Sequence, residues 1–300
     1  MGSVLGVKRC GRPNAPKVLL DAHLDEVGMI VTGYDKGYLR FATLGGIDPR
    51  VLPNREVTVL TNPPMEGIVA AKQPEDSDKA APMSDLRIDV GLTQEEAQQQ
   101  IPIGTPVVYQ QEEIMLGEHQ VAGKSLDDRS CCYLLLRTLE LLQNKELDVD
   151  LYVLFSVREE TDSTGAITAV YGAAPDCAVA VDVTFGCTPD ESEGCFKMGG
   201  GPVLGVGPNI TQWMLRRFKT KAKELDMPVQ LEVMAGSTGT NGWDIRILRE
   251  GIATAILSVP LKYMHTPVEV IHLEDAENCA RLLEAFVEGI GEEELSCRSC

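Results

Sequence analysis

The chain has 300 residues, room for one large α/β domain, alone or with a smaller one set inside it. Hydrophobic residues make up 44% and charged residues 24%, an ordinary globular balance, and no apolar run approaches the length of a membrane span. A formal net charge of −18 argues against nucleic acid or an anionic membrane as partner.

In chain order, Lys17–His23 (KVLLDAH) opens as an apolar strand and ends beside acids, in His23-Leu24-Asp25-Glu26. From about residue 29 to residue 60 the chain is β-rich, with turn signals at Gly33, Gly37 and Pro53-Asn54. Residues 61–100 are Pro-rich and charged, without a long helical pattern, and strand character returns at 107–110. Beyond Asp127 the pattern alternates. Helices are predicted over 127–143, 165–171, 212–224, 242–248 and 274–290, and strands over 151–157, 178–183, 230–234 and 253–259. In the last helix Ala276, Cys279, Leu283, Phe286, Val287 and Ile290 fall on one face. This alternation predicts an α/β fold with a mostly parallel central sheet covered by helices, and the β-rich block of roughly ninety residues reads as an insertion.

The acidic stretches 74–78 and 292–294 read as solvated surface. Nine cysteines form no zinc-ribbon pair of CxxC motifs; Cys297 and Cys300 make a single one, and adjacent Cys131 and Cys132 on a helix cannot both face one metal. Free, mostly buried thiols in a reducing cytosol are predicted. With no apolar signal region at the N-terminus, the expected location is cytoplasmic.

Residues of ligand type collect where strands end. His23 ends KVLLDAH, Glu159-Glu160 follow LYVLFSVR, Asp182 ends AVAVD, His265 follows AILSVPLKYM, and Asp127-Asp128 open a helix. In an open parallel sheet, ligands bind beyond the carboxyl ends of the strands. A single such residue is more often a cap or turn residue, but repeated coincidence on one sheet edge points to a site. Two imidazoles with several carboxylates suit a pair of divalent metals about 3.5–4 Å apart, an arrangement that activates water for hydrolysis at a polarised carbonyl. Asp25, two residues from His23, is placed to accept the spare ring N–H of that histidine. Adjacent Glu159 and Glu160 diverge, so that one can bind metal and the other can hold a water proton.

Other motifs carry less. The Gly-rich 199–207 stretch lacks the Gly-Lys-Ser/Thr of a phosphate loop, and no serine has a Gly-x-Ser-x-Gly setting. His119 and His272 are assigned surface or packing roles.

The segments AHLDEVGMIV (22–31), LGGIDPRVL (44–52), GKSLDDRSC (123–131), SVREE (156–160), VAVDVT (179–184), GTNGWDI (239–245) and PLKYMHTPVE (260–269) together resemble the glutamyl/tetrahedral aminopeptidase family of two-metal exopeptidases. The resemblance implies a catalytic domain formed by residues 1–30 and 118–300, with an inserted β-rich dimerisation domain at 31–117. By position it implies that His23 and Asp182 hold one metal, Glu160 and His265 the other, that Asp127 bridges them, and that Glu159 is the general base, with Asp25 counted among the catalytic residues. Zinc or cobalt, with manganese as a third choice, would fill the sites. The implied substrates are short peptides, and the implied assembly is a homodimer that can build a tetrahedral dodecamer.

Two departures stand out. Relatives usually carry a further N-terminal segment with a helix, whereas here residues 1–5 start inside a strand, as in a truncated chain, with apolar sheet surface left to be covered. Thr161-Asp162-Ser163-Thr164 replaces a more usual Val-Gly-containing stretch, so the resemblance does not carry specificity. Two alternatives to an active aminopeptidase are an inactive oligomeric homologue and a cellulase-type glycosidase. The glycosidase needs two free carboxyls flanking a sugar bond, a role for which metal-ligating carboxylates are poor candidates.

Overall fold

The structure is a computed structural model, and it describes residues 1–71, 81–189, 193–291 and Leu295. Both acidic stretches, 74–78 and 292–294, and the Cys297/Cys300 pair lie outside the described residues. Strand β1 (Val4–Lys8) is followed by β2 (Lys17–His23), whose apolar run is buried on both faces, as a strand inside a parallel sheet must be. The chain then leaves the main sheet. Strands β3 (Gly28–Asp35), β4 (Tyr38–Leu44), β5 (Glu56–Val59), β6 (Met65–Ala71), β7 (Leu86–Asp89) and β8 (Pro106–Tyr109) close into a small antiparallel barrel, in the order β3-β4-β7-β6-β5-β8. Met29, Val57, Val69, Ile88 and Val107 fill it, a core separate from that of the main sheet. Helix α1 (Gln94–Gln100) packs beside it. Its signal was the Thr93-x-x-Glu96 capping box, in which each side chain satisfies the other's backbone N–H.

The chain returns through β9 (Ile114–Leu116) and β10 (Gln120–Gly123) to α2 (Leu126–Leu141), β11 (Asp150–Ser156), α3 (Thr164–Ala173), β12 (Cys177–Phe185) and β13 (Val203–Val206). It ends with α4 (Gln212–Glu224), β14 (Gln230–Val233), α5 (Gly242–Ile245), β15 (Ala253–Lys262), β16 (Glu269–His272) and α6 (Leu273–Val287). The ten-stranded sheet runs β1-β11-β2-β12-β15-β16-β10-β9, with β13 and β14 branching from β15. Its four central strands, β11, β2, β12 and β15, are parallel, and antiparallel pairs flank them. Helices α2, α4 and α6 cover one face through Leu134, Phe218 and Phe286, the two phenylalanines stacking at 4.1 Å. Val170 of α3 and Ile245 of α5 cover the other face.

The elements depart from the predicted ones at their ends. Residues Asp127 and Asp128 have non-helical backbone, so regular α2 geometry starts after them. Helix α6 stops at Val287 because Glu288 is extended and Gly289 has φ +73°. On β1, Val4, Leu5 and Val7 are exposed, as expected of an edge with apolar surface uncovered. The expectation of free thiols fails at one place. Cys187 and Cys195 form a disulfide, brought together by a two-bond ladder between 185–187 and Phe196. Among the described residues, Cys10, Cys131, Cys132 and Cys279 are free thiols.

Candidate metal centre

Register sets the site. Ser156 of β11 pairs with His23 of β2, and Asp21 of β2 pairs with Ala180 of β12. Two residues further along, His23 and Asp182 stand level where their strands part. The carboxyl ends of three central strands thus open at one edge, in the crevice expected of such sheets.

Asp127 lies between the two histidines. Its Oδ1 is 3.2 Å from His23 Nε2 and its Oδ2 is 3.4 Å from His265 Nε2. Glu160 Oε2 lies 3.3 Å from His265 Nε2, while Glu159 Oε2 and Asp182 Oδ1 lie 3.8 and 4.0 Å from His23 Nε2. Ligand atoms of His23, Asp127 and Glu160 fall within 4.8 Å of one another, as do those of His23, Asp128 and Asp182. All six residues named for metal binding or proton transfer, His23, Asp127, Glu159, Glu160, Asp182 and His265, therefore meet in one cluster.

Asp25 meets them differently from the expectation. The His23 Nδ1 partner is the backbone carbonyl of Asp25, at 3.1 Å, while the Asp25 carboxylate stands 3.6 Å away. The reason is that β2 ends at His23, so Asp25 has left the strand and the two-residue alternation no longer aligns the side chains. The carboxylate instead accepts the backbone N–H groups of Glu159 (3.3 Å) and Glu160 (3.2 Å), holding the loop that carries both glutamates.

Three supporting residues were not singled out in the sequence. Glu269, at the start of β16, accepts the backbone N–H of His265 through Oε1 (2.9 Å) and that of Asp127 through Oε2 (3.1 Å). A carboxylate opening an otherwise buried strand four residues after the histidine was the available signal. Gly46, from the loop leaving the barrel strand β4, gives its carbonyl to His265 Nδ1 at 2.9 Å. A Cβ there would lie 3.1 Å from that same nitrogen, so any side chain would push the imidazole by a few tenths of an ångström. Asn241 donates to Asp21 and Ser156 beneath the site. Backbone strain gathers here as well: Ser125, Arg158, Ser163 and His265 all have φ between 55° and 70°.

The field is strongly negative. Burial would lower the pKa of His265, but its contacts with Asp127 and Glu160 override that and lift it to about 11. Burial raises Glu159 to about 7, with Glu160, Asp127 and Asp25 adding to the rise and His23 opposing it. Burial, helped by Asp127, raises Glu269 to about 8. Asp128 and Asp182 are pushed well above the usual carboxylate range, chiefly by burial. Two buried oxygens, Asp128 Oδ1 and Glu160 Oε1, have no hydrogen-bond partner among the described residues. Excess negative charge, two imidazoles and unpartnered carboxylate oxygens fit divalent cations.

The cluster opens into a cavity of about 330 Å³, whose wall includes Asp127, Glu159, Glu160, Asp182, Phe185, Glu232, Met234, Thr240 and His265. Larger hollows of about 520 and 630 Å³ elsewhere on the surface hold neither histidine. Residues 161–164 do not line this cavity. Asp162 instead accepts from the Thr164 N–H and hydroxyl at the start of α3. The Gly-rich 199–207 stretch is no phosphate site: Gly199 and Gly201 donate their N–H groups to the Asp275 carboxylate. His119 and His272 stack at 5.8 Å.

The family model described as M42 glutamyl aminopeptidase matches residues 2–282. A lysyl aminopeptidase from Pyrococcus furiosus is 35% identical over 287 residues, an alignment covering 92% of this chain and 82% of the relative. Among solved structures, an aminopeptidase from the archaeon Desulfurococcus kamchatkensis superposes with TM-score 0.92 at 32% identity, covering 100% of this chain and 86% of that one. The TET1 peptidase of Pyrococcus horikoshii, described as able to assemble into a tetrahedron or a large octahedral shell, gives TM-score 0.84 at 30% identity, with 96% and 88% covered.

Proposed function

The chain belongs to the M42 glutamyl aminopeptidase family, whose members are metal-dependent hydrolases of peptide bonds, and from that premise we propose that two divalent cations in the His23/His265 cluster serve removal of N-terminal residues from short peptides. The observation that carries this reading is Asp127, which offers one carboxylate oxygen towards each histidine. In it, His23 and Asp182 hold one cation, Glu160 and His265 the other, and Asp127 both. Zinc or cobalt suits this donor set, and manganese is compatible with it.

When bound, such a pair would polarise the scissile carbonyl and acidify a water. The remaining chemistry falls to the chain. Glu159 lines the cavity and, kept ionised by neighbouring dications, would take the water proton and pass it to the departing amine. Asp25 fixes the backbone from which Glu159 and Glu160 project. Glu269 ties Asp127 to His265, so the bridging carboxylate and one imidazole keep their spacing. The glycosidase alternative is not favoured, since four of the five carboxylates in the cavity surround the histidines.

We place the 31–117 insert in dimer formation and read the dimer as a unit of a larger homo-oligomeric shell. Exposed Tyr38, Leu60, Ile68 and Ile103 on the barrel, and Ile114, Met115 and Leu116 on β9, supply apolar surface for such contacts. Among the described residues no helix is long and apolar enough to cross a membrane. A cytoplasmic location belongs to the same reading.

The test is turnover of a panel of aminoacyl amides by protein loaded with each metal, alongside metal analysis and light scattering. Two equivalents of metal with amide cleavage are expected. A protein that binds both metals yet cleaves no amide would favour the inactive homologue. A strict monomer at micromolar concentration would remove both dimer and shell.

A further inference from the structure

Two carboxylates follow His23 in the chain, and they engage different partners. Asp25 accepts the backbone N–H groups of Glu159 and Glu160. Glu26 belongs to neither group of ligand atoms around the histidines. It binds instead the segment that leads into Asp127. Lys124 Nζ lies 2.8 and 2.7 Å from its two oxygens, and the Ser125 hydroxyl donates to Oε2 at 2.5 Å. Arg129 Nη2 stands 3.4 Å from Oε1, and Arg129 Nε donates to the Leu24 carbonyl at 3.3 Å. The Lys124 ammonium gives its third proton to Ser125 Oγ, at 3.0 Å. The Glu26 and Lys124 side chains are 14% and 22% exposed, so the pair is only weakly screened by solvent.

These contacts join two pieces of chain that supply ligands to the same cluster. One piece ends in His23, whose Nδ1 is paired with the Asp25 carbonyl at 3.1 Å, so a shift of residues 24–26 would turn the imidazole. The other passes from Ser125, at φ 60°, to Asp127 two residues on. A serine in the left-handed region costs energy and persists only where its surroundings hold it, and the Glu26 carboxylate supplies that hold. Glu269 fixes the Asp127 N–H while Glu26 fixes the residue two positions earlier, so the segment is held twice as it enters the site. The charges agree with the geometry. A lone carboxylate three residues from His23 would compete with Asp127 for a dication, and a lone ammonium would repel one. Paired, they do neither.

We propose that the Glu26–Lys124 ion pair is a positioning element of the metal centre, locking the His23 loop to the Asp127 segment so that both present their ligand atoms to one cation. This inference rests on the metal-centre part of the aminopeptidase reading.

The experiment titrates zinc against a chelator on wild type, Glu26→Gln, Lys124→Met and the double variant, and records the Tm of each metal-free protein. Each single variant is expected to bind zinc about tenfold to a hundredfold more weakly. The double variant should lose no more than the worse single one, because the second change removes the charge that the first left unpaired. A pair that serves stability alone would lower the metal-free Tm and leave the zinc affinity of the folded protein at its wild-type value, which overturns the proposal. So do losses that multiply in the double variant, the mark of two residues acting independently. Where a single variant fails to fold, the double variant decides, since it carries no unpaired charge: wild-type affinity overturns the proposal, and a loss of about tenfold or more upholds it. Cleavage of aminoacyl amides is measured in parallel. A wild type that cleaves no amide, with zinc affinity still following the pair, ends the aminopeptidase reading and leaves the positioning role standing. Amide cleavage with wild-type zinc affinity in the double variant does the reverse.

Discussion

Glu269 accepts the backbone N–H of Asp127 at 3.1 Å with one carboxylate oxygen, and that of His265 at 2.9 Å with the other. One buried side chain thus holds the backbones of Asp127 and His265 at a fixed spacing. Glu269→Gln replaces one acceptor with an amide donor aimed at an N–H. A loss of about tenfold to a hundredfold in metal affinity is expected, measured by competition with a chelator. Unchanged affinity would show that the loop keeps its shape without this carboxylate.

Asp127→Ala is expected to empty both metal sites, and His265→Ala mainly one. Metal analysis of the purified variants decides between shared and separate ligation. Full occupancy in Asp127→Ala would transfer the bridging role to Asp128, which accepts the His23 backbone N–H and whose Oδ1 has no hydrogen-bond partner among the described residues.

Glu159→Gln keeps the volume of the side chain and removes its basicity. It should retain both metals and lower kcat by about 10²-fold or more. Near-wild-type turnover would move the base elsewhere in the cluster.

The metal-free protein has its own pH signature. Glu159 and Glu269 titrate near 7 and 8 in the fold, against an ordinary value of 4.5. The folded state therefore binds their protons more tightly than the unfolded chain does. The stability they contribute is complete below about 4.5 and is lost as pH rises through about 7 and 8. The lift of His265 from 6.5 to about 11 has the same sign at higher pH. The Tm of chelator-treated protein should fall between pH 4.5 and 8, and saturating metal should flatten the decline. A Tm that climbs across this window without metal would contradict the ionisation states assigned to these two glutamates.

Much of the centre was legible in the chain because its signals are local. Apolar runs of strand length end at His23, Ser156 and Phe185, and a parallel sheet must deliver what lies at those ends to one edge. The five helices beyond Asp127 were legible for the same reason, since a period of 3.6 residues is written within each segment, whereas short α1 was not. What the tertiary structure decided are contacts that depend on how distant loops close. The Gly46 carbonyl reaches His265 across 219 positions of sequence, from a barrel whose path back to the sheet no local pattern encodes. The role of Asp25 changed because the strand stops at His23, and spacing alone does not show where alternation ends. Glu232 lines the cavity while its apolar neighbours Leu231 and Val233 are exposed. By sequence alone an acid flanked by Leu231 and Val233 reads as the solvent side of a strand, and only packing reverses that choice.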